Sequence, residues 1–263
     1  MNGLGNKVIV VVAGGSREGR PGLGGATARR LAAEGARVVV SDIDADAAAH
    51  TVAAITAAGG TAVPARCDVS DDAAVRALFE FATATYGSVG GVHFNAMDMS
   101  PETLGVDGEN DICTLPLEVW QRSLDVGLTG FFLVARQAIP LLVAAGGGGI
   151  VATASGAVFA GEPVRVGYAT AKTGLTAVVR HIASRYGRQG VRANAIAPGS
   201  VLAPETIEAM TPEQLDKMLR FGRSIRPGRP EDIGGTVGFL LSDDGAWING
   251  QIINVDGGQI LGR

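Results

Sequence analysis

Residues 7–24 read KVIVVVAGGSREGRPGLG, and this stretch decides the fold. A run of β-branched residues ends in glycines, and a helix-prone stretch begins at Leu23. This order predicts a buried strand, a glycine-rich turn and a helix whose first backbone N–H groups can bind a phosphate. Gly14, Gly22 and Gly24 can serve the turn, the close approach of a ligand and the packing of helix on strand.

The same alternation of strand and helix continues to the end of the chain. Strand-like runs are predicted at Lys7–Ala13, Ala36–Ser41, Thr61–Arg66, Gly91–Asn95, Gly149–Ala154, Val191–Ala197 and Gln251–Val255. Helix-like stretches are predicted roughly at Leu23–Glu34, Asp44–Ala58, Asp71–Tyr86, Pro116–Ala145, Gly167–Arg188 and Pro230–Leu241. Continuous apolar runs are typical of strands covered on both faces. The pattern therefore predicts one Rossmann-type, doubly wound parallel α/β domain over residues 1–263.

Two segments interrupt this rhythm, Met97–Thr114 and Ser200–Pro227. Both follow predicted strands, so we expect both at the carboxyl edge of the sheet, where such folds bind ligands. We expect residues 200–227 to form a loop region over the substrate. Four arginines lie in or just after this segment: Arg220, Arg223, Arg226 and Arg229. They are either a solvated face or a site for the phosphate of an acyl carrier or coenzyme A.

Composition excludes several classes of function. Apolar residues make up 46% and charged residues 18% of the 263 residues, which allows a large core. A net charge of −4 without a basic block argues against nucleic-acid binding. With no long apolar run and no recognisable signal peptide, we expect a cytoplasmic protein without a membrane partner. Cys67 and Cys113 are expected to be reduced thiols, and the scattered histidines predict no metal site.

An acidic residue follows the second predicted strand about twenty residues after the glycine turn. At this place Asp42 can accept hydrogen bonds from the ribose of a dinucleotide. Its charge would repel a 2′-phosphate, so the sequence favours NAD over NADP, although Arg17 and Arg20 could bind such a phosphate. In the turn itself we expect the cofactor to contact Gly14, Ser16, Arg17, Gly22 and Leu23.

A tyrosine and a lysine stand one helical turn apart at Tyr168 and Lys172. Positions i and i+4 share a helix face, so phenol and ammonium can converge. A phenol with its ordinary pKa of about 10 is a poor acid–base group at neutral pH, and a nearby cation makes it a better one. Ser155, at the end of the fifth predicted strand, can donate a hydrogen bond to a substrate oxygen.

Together these motifs resemble the short-chain dehydrogenase/reductase family over essentially the whole chain. The matching pieces are the glycine turn, Asp42, Cys67-Asp68-Val69, Asn95-Ala96, Ser155, Tyr168-x-x-x-Lys172, Asn194, Pro198-Gly199 and the ending Asn249-Gly250-Gln251…Val255-Asp256-Gly257-Gly258. The resemblance implies adenine contacts at Asp68 and Val69 and further cofactor contacts at Asn95, Ala96, Tyr168, Lys172, Pro198, Gly199 and Val201. It also implies a homotetramer or homodimer paired through long helices.

The sequence departs from the family pattern at several places. Ala13 replaces a Thr, about four extra residues (Glu18–Pro21) precede Gly22, and Ala203 replaces a carboxamide-binding Thr. Met97 stands where the family has Gly, and Gly127 where it has an active-site Asn. We consider two interpretations of Gly127: a neighbouring group packs closely against it, or the vacated volume holds water that relays protons.

The resemblance implies reversible oxidation of a secondary alcohol to a ketone. Hydride passes to the nicotinamide, Tyr168 exchanges the proton, Lys172 assists Tyr168 and holds the ribose, and Ser155 positions the oxygen. One alternative is a non-catalytic NAD-binding regulatory or scaffold protein, suggested by the missing active-site residues. Another is an enoyl reductase, suggested by the long glycine turn, although the usual Tyr–Lys spacing of that class is wider than here.

Overall fold

The computed structural model describes residues 1–17, 20–100, 103 and 111–261, without the side chains of Arg17 and Arg20. Its centre is a seven-stranded parallel sheet in the order β5-β4-β1-β6-β7-β8-β9. All seven predicted strands are confirmed, with ends within one residue of prediction. Their bounds are β1 Val8–Val12, β4 Arg37–Asp42, β5 Thr61–Arg66, β6 Gly91–Phe94, β7 Gly148–Thr153, β8 Val191–Pro198 and β9 Ile252–Val255.

Helices cover both faces of this sheet, as predicted. Their bounds are α1 Leu23–Ala33, α2 Ala45–Ala57, α3 Asp72–Tyr86, α4 Leu117–Leu124, α5 Gly130–Ala144, α6 Val166–Tyr186, α7 Pro204–Glu208, α8 Pro212–Leu219 and α9 Pro230–Leu241. One apolar core packs the sheet against α1, α2 and α9, and the other packs it against α3, α5 and α6. Successive strand residues point to opposite faces, so β1 supplies Val10 to one core and Val11 to the other.

A small hairpin inside the glycine turn was not predicted. Strands β2 (Ser16–Arg17) and β3 (Arg20–Pro21) pair antiparallel, with Ser16 opposite Pro21. The extra residues that separate this chain from the family pattern therefore extend the turn as a hairpin. Residues 18–19 lie outside the described residues.

The sheet is not covered equally along its width. The outer strand β5 alternates between exposed and partly buried residues and contains Pro64. Proline cannot donate a ladder hydrogen bond, which suits an edge position. The expectation that every strand is covered on both faces is therefore wrong for β5.

Helices α4 and α5 are joined by a π-helical turn, Asp125–Thr129, into one continuous helix, Leu117–Ala144. This 28-residue helix is long and apolar enough to cross a membrane by length and composition. Half of the most apolar stretch of this helix is buried inside the protein, where Phe131 and Leu142 are part of the core. The helix therefore serves as a core element of this fold.

Candidate functional site

The glycine turn brings strand β1 and helix α1 very close together. A Cβ atom at Gly24 would lie 2.0 Å from the carbonyl oxygen of Ala13, so only glycine fits there. Ala13 itself adopts φ +56°, a conformation that is uncommon outside glycine. Gly22 precedes α1, and among the described residues no atom outside its chain neighbours lies within 4 Å of the place its Cβ would take. No side chain caps the N-terminus of α1, and uncapped backbone N–H groups at a helix start suit the pyrophosphate of a dinucleotide.

Asp42 lies beside this turn, at the end of β4. Its Oδ2 accepts a hydrogen bond from the backbone N–H of Gly15 at 2.9 Å, and its Oδ1 accepts one from that of Asp44 at 3.1 Å. A Cβ at Gly15 would lie 2.7 Å from the same Oδ2, so glycine is required for this approach. The carboxylate is thus held in place and keeps acceptor capacity for ribose hydroxyl groups.

The Ser16 side chain is buried beneath the glycine turn. It is 1% exposed, and its hydroxyl oxygen lies 2.9 Å from the hydroxyl oxygen of Thr51 on α2. The Thr51 hydroxyl is also 2.9 Å from the carbonyl oxygen of Gly14. Ser16 and Thr51 therefore brace the turn from behind, and the cofactor contact of Ser16 stays a prediction. The predicted phosphate contacts of Arg17 and Arg20 concern side chains outside the described part.

A polar network lies at the predicted adenine end. Asp68 Oδ1 accepts hydrogen bonds from the backbone N–H of Ser70 at 2.9 Å and from its hydroxyl at 2.6 Å. Burial raises the pKa of Asp68, but these bonds and the charges of Arg122 and Arg66 outweigh it and hold the pKa below its ordinary value. Arg122 also pairs with Asp98 at 3.4 Å, which connects this end to the segment after β6.

Asn95 and Ala96 follow β6, directly opposite the turn. The side-chain amide of Asn95 donates to the carbonyl oxygen of Ala13 at 3.3 Å, and Ala96 is buried. Asn95 thereby supports the unusual backbone of Ala13. The two residues lie at the carboxyl edge of the sheet, as predicted.

Lys172 lies on helix α6, and its ammonium is buried against the carboxyl end of β7. Only 2% of the residue is exposed, and its Nζ donates to the carbonyl oxygen of Thr153 at 2.7 Å. Burial lowers the pKa of Lys172 to about 8. The ammonium lies 5.9 Å from the ring centroid of Tyr168, so the predicted convergence of phenol and ammonium is present in the structure.

Ser155 lies in the loop after β7, two residues after Thr153, whose carbonyl oxygen accepts the hydrogen bond from Lys172. Its backbone is extended, and its Oγ accepts a hydrogen bond from the N–H of Ala157 at 3.2 Å. That bond uses an acceptor position and leaves the hydroxyl hydrogen available for another oxygen. A partly exposed phenol at Tyr168, a buried ammonium and an oriented hydroxyl can together bind and protonate a carbonyl oxygen.

Sequence reasoning missed the buried histidine behind Lys172. His93 on β6 is fully buried, and its Nε2 lies 2.9 Å from the Thr153 hydroxyl. Burial, with the positive charge of Lys172, lowers the pKa of His93 to about 3. The histidine is therefore neutral at pH 7 and does not compete with the ammonium as a charge. Its position in an apolar strand gave no signal of this role.

The space beside Gly127 is filled by a side chain. Gly127 lies in the π-helical turn, and a Cβ there would lie 2.7 Å from the sulfur of Met97 and 3.0 Å from the Cβ of Ala171. The structure thus contradicts a water-filled volume and agrees with close packing by a neighbour. The two departures from the family pattern at Met97 and Gly127 are complementary, because the added thioether takes the place of the missing side chain.

The predicted substrate region begins after β8. The N–H of Gly199 donates to the carbonyl oxygen of Val255 at 3.2 Å, and Val201 forms a bridge with Gly228. The bridge closes residues 202–227, which include α7 and α8, into a loop. A cavity of about 370 Å³ lies between this loop and the C-terminal turn; its lining includes Ser200, Val201, Met218, Asn254 and Asp256. None of Ser155, Tyr168 and Lys172 lines this cavity.

The known proteins that this chain resembles are described as reductases and dehydrogenases. The family model described as enoyl-(acyl carrier protein) reductase matches residues 19–259. A probable short-chain type dehydrogenase/reductase of Bradyrhizobium diazoefficiens is 37% identical, over 97% of this chain and 87% of the relative. Cyclohexanol dehydrogenase of an Acinetobacter species is 36% identical, over 97% of this chain and 96% of the relative.

A solved structure extends the likeness to three dimensions. A 7α-hydroxysteroid dehydrogenase, complexed with NADH and 7-oxo glycochenodeoxycholic acid, superposes with a TM-score of 0.85 at 32% identity. The alignment covers 98% of this chain and 97% of the other. The likeness therefore extends over almost the whole length of both chains.

Proposed function

Because the chain belongs to the short-chain dehydrogenase/reductase family of nicotinamide-dependent oxidoreductases, we propose that Tyr168, Lys172 and Ser155 carry its reaction. The chain is an enzyme that transfers a hydride between a nicotinamide cofactor and an alcohol or ketone, and not a non-catalytic binding protein. The observation that carries the residue assignment is the convergence of phenol and buried ammonium, 5.9 Å from ring centroid to Nζ. The ammonium also bonds the carbonyl oxygen of Thr153, two residues before Ser155.

Each of the three residues has a distinct role in ketone reduction. The bound nicotinamide supplies the hydride to the carbonyl carbon. Tyr168 donates its hydroxyl proton to the carbonyl oxygen, and Ser155 donates a hydrogen bond to the same oxygen. Lys172 stabilises the negative charge left on the phenol oxygen, and this interaction is strong because the ammonium is buried. The same groups act in reverse during alcohol oxidation.

We further propose that the enzyme prefers NAD(H) to NADP(H). The fixed carboxylate of Asp42 fits ribose hydroxyl groups and repels a 2′-phosphate. The glycine turn, with open space in front of Gly22, would hold the pyrophosphate, and Lys172 would hold the nicotinamide ribose. Asp68 and Val69 would line the adenine site, and Asn95, Ala96, Pro198, Gly199 and Val201 would line the path towards the nicotinamide.

The proposed substrates are cyclic secondary alcohols and ketones. Two similar proteins are named for cyclohexanol and for a hydroxysteroid, and both compounds carry the reacting group on a ring. In this chain the cavity of about 370 Å³ next to Val201 could accept part of such a ring system beyond the reactive group.

The experiment follows NADH absorbance with cyclohexanone, a 7-oxo bile acid and a 3-oxoacyl thioester. We expect turnover with at least one cyclic ketone and a decrease of about 100-fold or more in Ser155→Ala with that ketone. Ser88→Ala, at an exposed position in the loop before β6, is the matched control and should keep the wild-type rate. No turnover with any ketone, in protein shown to bind NADH, would contradict the proposed substrate class.

Enoyl reduction is a second candidate because of the description of the matching family model. It requires hydride addition to a carbon–carbon double bond conjugated to a thioester. A 2-enoyl thioester in the same assay distinguishes the two reactions. The four-residue spacing from Tyr168 to Lys172 favours carbonyl reduction, so we expect no NADH oxidation with the enoyl compound.

We also propose one folding domain, a cytoplasmic location and assembly into a homotetramer, or at least a homodimer. Several large apolar side chains remain exposed on the single chain: Phe81, Leu117, Phe132 and Trp247. Leu117 and Phe132 lie on the same long helix, and burying such side chains between copies would remove them from water. Light scattering should return a multiple of the chain mass, and the mass of one chain would refute the assembly.

A further inference from the structure

An arginine lies against the face of the tyrosine ring in the reactive group. The Cζ atom of Arg165 is 4.6 Å from the ring centroid of Tyr168. Arg165 directly precedes α6 and adopts φ +60° and ψ +51°, the left-handed conformation that residues other than glycine rarely adopt. This backbone turns the side chain back over the first turn of the helix, so the strained conformation and the ring contact belong together.

Glu162 holds the guanidinium in this place. Its Oε2 accepts a hydrogen bond from Arg165 Nη2 at 3.0 Å, three residues earlier in the same loop. The Arg165 side chain is 35% exposed and that of Glu162 only 15%. A planar guanidinium that lies on a ring and is fixed by a carboxylate has a defined orientation, unlike a free surface arginine.

We propose that Arg165 is a positioning residue for Tyr168. Its guanidinium fixes the ring and stabilises negative charge on the phenol oxygen, and Glu162 offsets part of the positive charge of the guanidinium. The inference rests on the proposed role of Tyr168 in proton exchange. A cation on the ring face favours an electron-rich ring, and a phenolate ring is more electron-rich than a phenol ring.

The charges around the phenol make this effect measurable. Arg165 on the preceding loop and Lys172 on the same helix both place a cation near the Tyr168 ring, at 4.6 and 5.9 Å from its centroid. His93 on β6, next to Lys172, is neutral because its pKa is about 3. Glu162 is the anion that faces Arg165. Removing the Arg165 charge should therefore disfavour the phenolate, and removing the Glu162 charge should favour it.

The first measurement needs no substrate. The phenolate absorbance of the apo protein is titrated with alkali, and the Tyr168→Phe protein is subtracted as the blank. Arg165→Met keeps an unbranched side chain without the charge. In this variant we expect the midpoint pH of the absorbance increase, called here the absorbance step, to rise by about half a pH unit. Arg165→Lys should keep the step near its wild-type place, and Glu162→Gln, which can still bond the guanidinium, should move it down.

The second measurement uses alcohol oxidation. We expect kcat of Arg165→Met to fall about two- to five-fold at pH 7 with KM little changed. This defect should shrink as the pH rises, because the phenol then ionises without help. A merely structural role would lower activity equally at all pH values. Arg165→Asn, which tolerates the left-handed backbone, replaces Arg165→Met if the latter does not fold.

The outcomes separate this inference from the proposed function. An unmoved absorbance step in Arg165→Met overturns the role of Arg165, whether or not the enzyme turns over ketones. A moved step in a protein without ketone turnover supports the effect of Arg165 on Tyr168 and contradicts the proposed function. Equal loss of activity in Arg165→Met and Arg165→Lys would also overturn the inference, because the charge would then have no part in it.

Discussion

Restoring a side chain at Gly127 tests whether Met97 and Gly127 form one packing unit. In Gly127→Asn the new Cβ would lie 2.7 Å from the Met97 sulfur and 3.0 Å from the Cβ of Ala171. The thioether can move, but the Ala171 Cβ is fixed to a buried helix. We therefore expect the free energy of unfolding to fall by about 1–3 kcal/mol, the range for overpacked cores. The gain from replacing glycine in a helix is smaller than this, under about 1 kcal/mol.

The double variant Met97→Gly/Gly127→Asn removes the steric conflict. We expect Met97→Gly alone to be destabilising as well, since it leaves a gap beside Gly127. The double variant should then be more stable than the sum of the single changes predicts, by about 1–2 kcal/mol of coupling free energy. Urea unfolding of the four proteins, followed by fluorescence, measures this coupling.

Two results would refute this reasoning. One is additivity of the two single changes, which would mean that the side chains do not share a space. The other is a Gly127→Asn protein that is more stable than wild type and turns over faster with a smaller solvent isotope effect. That outcome would restore the water-filled interpretation, which the position of the Met97 sulfur contradicts.

Further predictions concern the charges of the site and the cofactor. Lys172→Met should abolish turnover yet raise the free energy of unfolding at pH 7 by about 1–2 kcal/mol. Burial that lowers the pKa of Lys172 from 10.5 to about 8 costs the wild-type protein about 3 kcal/mol, and the variant avoids this cost. The variant also loses the hydrogen bond to Thr153, which offsets part of the gain. Since the cost applies only while Lys172 is charged, the gain should be full below pH 8 and vanish towards pH 10.5, as thermal unfolding across this range will show. Asp42→Asn, which keeps one acceptor oxygen, should improve NADPH affinity relative to NADH about ten-fold in fluorescence titrations. Equal binding of both cofactors by wild type would instead identify Arg17 or Arg20 as a phosphate contact.

The strands and helices could be predicted from the sequence because their signals are local. The continuous β-branched run Val8–Val12 favours a buried strand, and the spacing from Tyr168 to Lys172 is a property of a single helix. The order of motifs along the chain then predicted the parallel sheet, since strands separated by helices leave few other topologies.

Other features depend on contacts that no local pattern records. The hairpin β2–β3 consists of two-residue strands that contain Arg and Pro, so it has no period to detect. Met97 fills the space at Gly127 from thirty residues away in sequence, and a glycine alone does not tell whether water or a side chain lies beside it. The position of Arg165 on the Tyr168 ring depends on a left-handed backbone that the residue type does not predict.

The most direct test of the central claim separates hydride transfer from cofactor binding in Tyr168→Phe. The measurement is the dissociation constant of NADH by fluorescence, together with the single-turnover rate with an accepted ketone. We predict a rate loss of about 100- to 10,000-fold with NADH affinity nearly intact, and unchanged behaviour in Tyr186→Phe, at the other end of the same helix. Lys172→Ala should impair both rate and NADH affinity, because the ammonium serves the phenol and the ribose. A Tyr168→Phe protein with a near-normal rate would contradict the account, because the proton would then come from another group.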